Sequence, residues 1–182
     1  MNIPRILMTA AVVALAAPAW AEVPMGDDGL HKPDWLKDSF KDLRDDAAEA
    51  AAAGRTLLVT VEQRGCIYCA ELHNQVFTDP RMDALIREKF DVVQIDLFGA
   101  TDMTDTDGEV LTEKRMAGKW GVTVTPTLLF IPHELPEGVA ANKAAMAVVP
   151  GVLPADKAVA LFEWAAAGGP QTGRSVAEVI ND

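Results

Sequence analysis

The chain has 182 residues, of which 49% are hydrophobic, and a formal net charge of -11 at pH 7. That length gives about one domain, enough to bury a sizeable core. So acidic a surface argues against nucleic acid and anionic membrane as partners, and its plainest role is to keep the protein soluble.

Residues 1–21 read as a secretory signal peptide. Arg5 supplies the positive n-region, residues 6–17 are apolar and uncharged, and Ala19-Trp20-Ala21 is a small-x-small cleavage site. The mature chain is expected to begin at Glu22 and to be soluble in the periplasm. The apolar run is too short to span a bilayer comfortably, and no second stretch approaches transmembrane length, so no stable membrane insertion is expected.

Asp34 is the predicted N-cap of a first helix, which carries Leu36, Phe40, Leu43 and Ala47 at helical spacing and stops at Gly54. Residues 56–61, Thr-Leu-Leu-Val-Thr-Val, read as a buried strand, and residues 62–65 as a short turn. A helix is predicted from Cys66 to about Phe77. A second starts at Pro80, with Met82, Leu85, Ile86 and Phe90 as its apolar stripe. Residues 92–96 are the next strand, and the polar, acidic stretch 97–110 reads as a loop. Residues 112–121 are predicted helical. Residues 127–131 form a strand directly after Pro126, paired as a hairpin with residues 145–149. The last large helix opens at Pro154 and ends near Gly168, and the tail from Gln171 to Asp182 reads as a short or frayed helix. Strands alternating with helices and closing in a hairpin imply an α/β fold, a central sheet with helices on both faces. Working sites in such sheets lie at the C-terminal ends of strands.

Cys66 falls there, just past the first strand. Cys66 and Cys69 are the only cysteines, set as Gly65-Cys66-Ile67-Tyr68-Cys69. The spacing puts two sulfurs one helical turn apart, able to form and break a disulfide. In an exported protein with no third cysteine, the pair is expected to be the chemistry rather than a staple. A thiol at a helix start meets unpaired backbone N–H groups, which favour the thiolate. Cys66 is therefore the expected nucleophile and Cys69, a turn deeper, the resolving thiol. Arg64 reads as a solvated charge, with lowering of the Cys66 pKa as its alternative role. Tyr68 either shapes a substrate surface or packs at the helix start.

Two patterns invite a metal reading. His73 lies three and seven positions along the face of Cys66 and Cys69, which permits a Cys-Cys-His site. It lacks an evident fourth ligand, and His31 and His133 have no useful spacing, so His73 reads first as a surface histidine. In the acidic stretch, aligning Gly108 with the fixed glycine of an EF-hand loop puts Met103 and Lys114 where acidic ligands belong. That stretch therefore reads as a solvated loop. No metal or cofactor is expected.

The C-x-x-C at a helix start, with Thr125-Pro126-Thr127 far downstream at the head of an apolar strand, resembles the thioredoxin superfamily over roughly residues 35–167. The resemblance implies a thioredoxin-like fold, a cis Pro126 beside the cysteines, and substrate backbone docked at Thr125 and Pro126. It divides the chain into signal peptide (1–21), N-terminal extension and helix (22–54), thioredoxin-like domain (55–167) and tail (168–182). Glu62-Gln63 ahead of the cysteines, the insertion after Asp96, Thr112-Glu113-Lys114 and Pro150-Gly151 are similar to periplasmic thioredoxins of the SoxW type. That narrower resemblance implies reduction of protein disulfides in a sulfur-oxidation system, with a membrane electron donor of the thiol-reductase type. The chain departs from thioredoxin at Gly65, at Ile67-Tyr68, and at Thr60, where thioredoxin has a buried acid. Glu62 reads as a solvent-facing turn residue, with proton transfer to Cys69 as the alternative. The rival functions are a disulfide isomerase or oxidant, a Cys66-Cys69-His73 metal module, and an adaptor with a structural disulfide.

Overall fold

A computed structural model describes residues 23–182; the expected signal peptide and its cleavage point lie outside the described residues. Along the chain come α1 (Leu43–Ala52), β1 (Thr56–Glu62), α2 (Ile67–Glu71), a π-helical turn (Leu72–Val76) and α3 (Pro80–Lys89). There follow β2 (Phe90–Asp96), β3 (Asp102–Thr104), β4 (Val110–Thr112), α4 (Glu113–Trp120) and β5 (Thr127–Ile131). The chain closes with α5 (Ala141–Ala144), β6 (Ala147–Pro150), α6 (Ala155–Ala166), a 3-10 turn (Gly169–Thr172) and α7 (Val176–Asn181).

The main sheet has the order β2-β1-β5-β6. β1 runs parallel to β2 and antiparallel to β5, which pairs antiparallel with β6. The sheet is mixed, and β1 is interior and buried along its whole length. Side chains alternate across a strand. Leu58 thus joins Phe90, Phe130, Leu72 and Phe162 in one core, while Leu57, Val59 and Val61 join Ile95, Leu129 and Met116 in a second core on the opposite face. Both faces are covered, as the run of apolar residues in β1 requires. The same alternation places Thr60 and Glu62 on the Leu58 side.

Three expectations are corrected. The first helix does not begin at Asp34. Its N-cap is Asp42, whose side chain accepts from the Arg44 N–H, while Asp34 is ion-paired with Arg87. The segment before α1 is not helical: Leu36 bridges Val92 in parallel, and the Lys37 N–H donates to the Val92 carbonyl at 2.9 Å. β2 is the sheet edge, so its backbone groups have partners to offer, and satisfying them outweighs the helical spacing of Leu36 and Phe40. Phe40 is fully exposed.

The stretch 97–110 is not a solvated loop. It contains the β3–β4 hairpin, with Met103 buried in the second core. The fully buried Asp105 carboxylate accepts from the Trp120 indole Nε1 at 2.9 Å, the Ala141 N–H at 2.9 Å and the Thr106 N–H at 2.7 Å. Lys119 gathers Asp105, Asp107 and Glu109 at 2.8, 2.6 and 3.0 Å. Asp105 thus folds inward onto one lysine and one indole, while Asp107 and Glu109 reach the same lysine from the surface side.

The hairpin partner of β5 starts at Ala147 rather than Ala145, because the short helix α5 occupies the preceding residues. The tail contains the short helix expected there, α7. Ser175 and Glu178 form a reciprocal capping box at the start of α7, and Val179 is buried against the first core.

Candidate active site

Cys66 is the N-cap of α2, and it is joined to Cys69 by a disulfide with Cα atoms 5.2 Å apart. β1 delivers the chain to this point and Gly65, with φ +71°, turns it into the helix without a Cβ clash. Cys66 is 8% exposed and Cys69 1%, so the first sulfur is the more accessible. The Cys69 backbone N–H donates to the Cys66 Sγ at 3.0 Å, and the Thr125 hydroxyl donates to it at 3.3 Å. The Thr125 carbonyl oxygen lies 3.5 Å from the same sulfur. Donors aimed at sulfur stabilise a thiolate more than a thiol, and two such donors surround Cys66 in this disulfide form.

The Thr125–Pro126 peptide is cis and sits at the head of β5. The Pro126 carbonyl accepts from the Gly151 N–H at 2.7 Å, tying this loop to the end of β6. Between the loop and α2 runs an open groove of about 610 Å³, lined by Gly65, Cys66, Tyr68, Thr125 and Val152 among others. Ile67 and Tyr68 stand exposed on one rim and Val124 on the other. The structure thus brings Cys66, Tyr68 and Thr125 together around one groove, with Pro126 next to Thr125 in the chain but not in the groove's lining.

Glu62 and His73 lie elsewhere than expected. Glu62 is the last residue of β1, not a turn residue, and it is 1% exposed. His73 is likewise 1% exposed rather than a surface histidine. His73 Nε2 lies 3.0 Å from each Glu62 carboxylate oxygen. His73 sits in the π-helical turn four positions after Cys69, so Glu62 packs against the same stretch of helix that carries the resolving cysteine. The Cys-Cys-His cluster is not assembled: among the described residues the donors close enough to share an ion are His31, Glu62 and His73. His31 stacks on His73 with ring centroids 4.7 Å apart. Sequence spacing had no means of finding His31, since its proximity comes from the segment before α1 folding back over the helix. The Arg64 guanidinium donates through Nε to the Asp28 carbonyl at 3.0 Å, tethering that segment. Thr60, where thioredoxin has its buried acid, keeps a buried hydroxyl without a hydrogen-bond partner.

A thioredoxin-like domain model matches residues 43–166, more than half of the chain. The chain belongs to the thioredoxin-like family. The mixed sheet and flanking helices are those of its fold. Two solved structures are similar to this thioredoxin-like chain. A thioredoxin-fold protein from Helicobacter pylori is 13% identical, with a TM-score of 0.55 over 75% of this chain and 91% of that one. A thioredoxin from Thermus thermophilus is 20% identical, with a TM-score of 0.54 over 73% of this chain and 90% of that one. At such identities the likeness speaks for the fold. No curated protein matches the sequence. The fold and the Cys66–Cys69 pair together support thiol–disulfide oxidoreductase chemistry. No described helix is long and apolar enough to cross a membrane.

Proposed function

We propose that the protein is a periplasmic thiol–disulfide oxidoreductase that reduces disulfides on partner proteins, in the manner of SoxW-type thioredoxins serving sulfur oxidation. The observation that carries this reading is the Cys66 sulfur at the edge of an open groove, receiving hydrogen bonds from Cys69 N–H and Thr125 Oγ1. In the dithiol form the Cys66 thiolate attacks one sulfur of a partner disulfide. The other partner sulfur leaves as a thiolate and takes a proton. Cys69 then attacks the Cys66 sulfur of the mixed disulfide and releases the partner's second thiol. Two electrons pass to the partner, and the Cys66–Cys69 disulfide remains. A membrane donor of the thiol-reductase type returns two electrons, since the periplasm holds no reducing buffer.

Glu62 is proposed as the group that takes the Cys69 proton as that sulfur becomes a nucleophile. It lies on the same strand face as Thr60, two residues nearer the cysteines, and does from there what Thr60 lacks the acidity to do. Tyr68, Thr125 and Pro126 are proposed to contact the partner's backbone, added as a strand-like segment along the groove. The direction of electron flow is supported by what surrounds Cys66. Arg64 is turned to Asp28, and the described hydrogen bonds to the Cys66 sulfur come from neutral groups.

Reduction of insulin by the dithiol protein tests the activity. Trapping of partners on a Cys69→Ser variant, which cannot resolve the mixed disulfide, identifies the substrates. A protein that neither reduces insulin nor accumulates mixed disulfides has a structural disulfide, and the adaptor alternative then holds.

A further inference from the structure

We propose that His31, Glu62 and His73 form a binding site for one divalent cation of the zinc class, distinct from the cysteine pair. The three donor atoms lie within 4.8 Å of one another; Glu62 and His73 are buried and His31 is half-buried. Two imidazoles and one carboxylate are a recurrent zinc set with a fourth position left for water. Calcium and magnesium favour all-oxygen cages, so this set selects against them.

The ligands come from three separately anchored places. Glu62 ends β1, interior to the sheet. His73 is held in the π-helical turn, closed by the Phe77 N–H donating to the Leu72 carbonyl at 2.8 Å. Such turns recur at functional sites because they shift one side chain out of helical register. His31 is fixed through its backbone: the Gln94 side chain donates through Nε2 to its carbonyl at 2.9 Å, and Lys32 Nζ donates to the same Gln94 side chain at 2.7 Å.

The charge and hydrogen-bond pattern point the same way. A carboxylate this deeply buried needs a positive partner or several donors. Both Glu62 oxygens face a single nitrogen, His73 Nε2, and His73 Nδ1 is buried with no hydrogen-bond partner. Trp35 stacks parallel to His73 at 6.3 Å, and Phe77 meets its edge at 5.3 Å, an apolar shell of the kind that sharpens metal affinity. A surface cavity of about 590 Å³, whose walls include Lys32, Trp35, His73 and Phe77, gives an ion an entry path.

Loading requires one local movement. The two imidazole planes are now 13° from parallel, so their lone pairs do not converge. Donors on bonds of about 2.0–2.1 Å at a tetrahedral ion stand about 3.3 Å apart. Reaching that spacing requires the His31 ring to turn and move inward, which would clamp the segment before α1 to the redox domain. In the loaded protein Glu62 serves the ion, so the ion and the Cys69 proton compete for it.

The test uses the mature protein with its disulfide intact, titrated with zinc chloride and cobalt chloride. The expected results are one ion per chain, a rise in Tm, and cobalt d–d bands without thiolate charge transfer. His31→Ala, with His31→Gln in case the first folds poorly, is expected to weaken zinc binding at least about tenfold, as loss of a ligand or its support does. A Cys66→Ser/Cys69→Ser double variant is expected to bind as tightly as the wild type. No binding to the disulfide form at micromolar metal, binding indifferent to both His31 variants, or binding lost with the cysteines overturns the proposal. Metal content and Tm are read without any turnover, so failure here is separable from failure of the redox reading.

Discussion

Both carboxylate oxygens of Glu62 stand 3.0 Å from one nitrogen of His73 beneath the redox helix, and neither residue exposes more than 1% of its surface. A buried carboxylate and imidazole joined this way depend on each other for their hydrogen bonding. Removing either partner strands the other in a low-dielectric site.

Glu62→Ala is therefore expected to cost about 3 kcal/mol, the lower end for breaking a buried pair, read as a fall in denaturant midpoint. Glu62→Gln keeps the shape and should cost less. If Glu62 takes the Cys69 proton, Glu62→Gln also slows resolution of the mixed disulfide about 10²-fold near neutral pH, the lower range of general-base effects. Stopped-flow resolution at the wild-type rate would leave Glu62 a structural role only.

Reduced Cys66 is expected to be alkylated before Cys69, with a midpoint clearly below about 8.5, the free-thiol value. Thr125→Val removes one of the two hydrogen bonds to its sulfur. A hydrogen bond to a charged group is worth about 1.5 kcal/mol or more, so the Cys66 pKa should rise by about 1. Alkylation across pH reads this directly, and an unmoved midpoint would remove Thr125 from thiolate stabilisation.

The pair is expected to be reducing. Stabilising the thiolate favours the dithiol and makes the disulfide more oxidising. Here the recorded support is one backbone N–H and one hydroxyl, with Arg64 bonded elsewhere. Equilibration against glutathione should give a potential below about -180 mV, on the reducing side of disulfide isomerases. A value near about -120 mV would promote the oxidant reading.

Asp105→Ala is expected to cost about 3 kcal/mol or more. It strands the Trp120 indole and the Ala141 and Thr106 N–H groups, at about 1–3 kcal/mol for each buried donor left unpaired. Lys119 adds a pH dependence. Burial pushes its pKa down, but hydrogen bonds with Asp105, Asp107 and Glu109 more than offset this and hold it well above the ordinary lysine value. A raised folded pKa means the stabilisation is fully present below the unfolded value of about 10.4 and is lost as pH rises beyond it. Lys119→Gln should lower Tm at pH 7, and the gap to wild type should narrow under strongly alkaline conditions. A gap that is constant across that range would show the lysine contributes through packing alone.

What the sequence determined by itself was local. The spacing of Cys66 and Cys69, the apolar run of β1, Pro80 after the Asp79 cap, and Gly121 in the left-handed region after α4 each act within a turn or a strand. The order of these elements was enough for the α/β fold and the position of the cysteines. The burial of Glu62 was also legible, since it continues the alternation of Leu58 and Thr60, but reading it as a turn residue hid that signal. Tertiary structure decided the rest. The helical spacing around Leu36 yielded to the backbone groups of the β2 edge, because unsatisfied amides cost more than a helix stripe gains. The acidic stretch folded inward because Lys119 and Trp120, from α4, supply what Asp105 needs. His31 reached His73 only through the folding-back of the segment before α1, and no periodicity within either segment encodes a contact made between them.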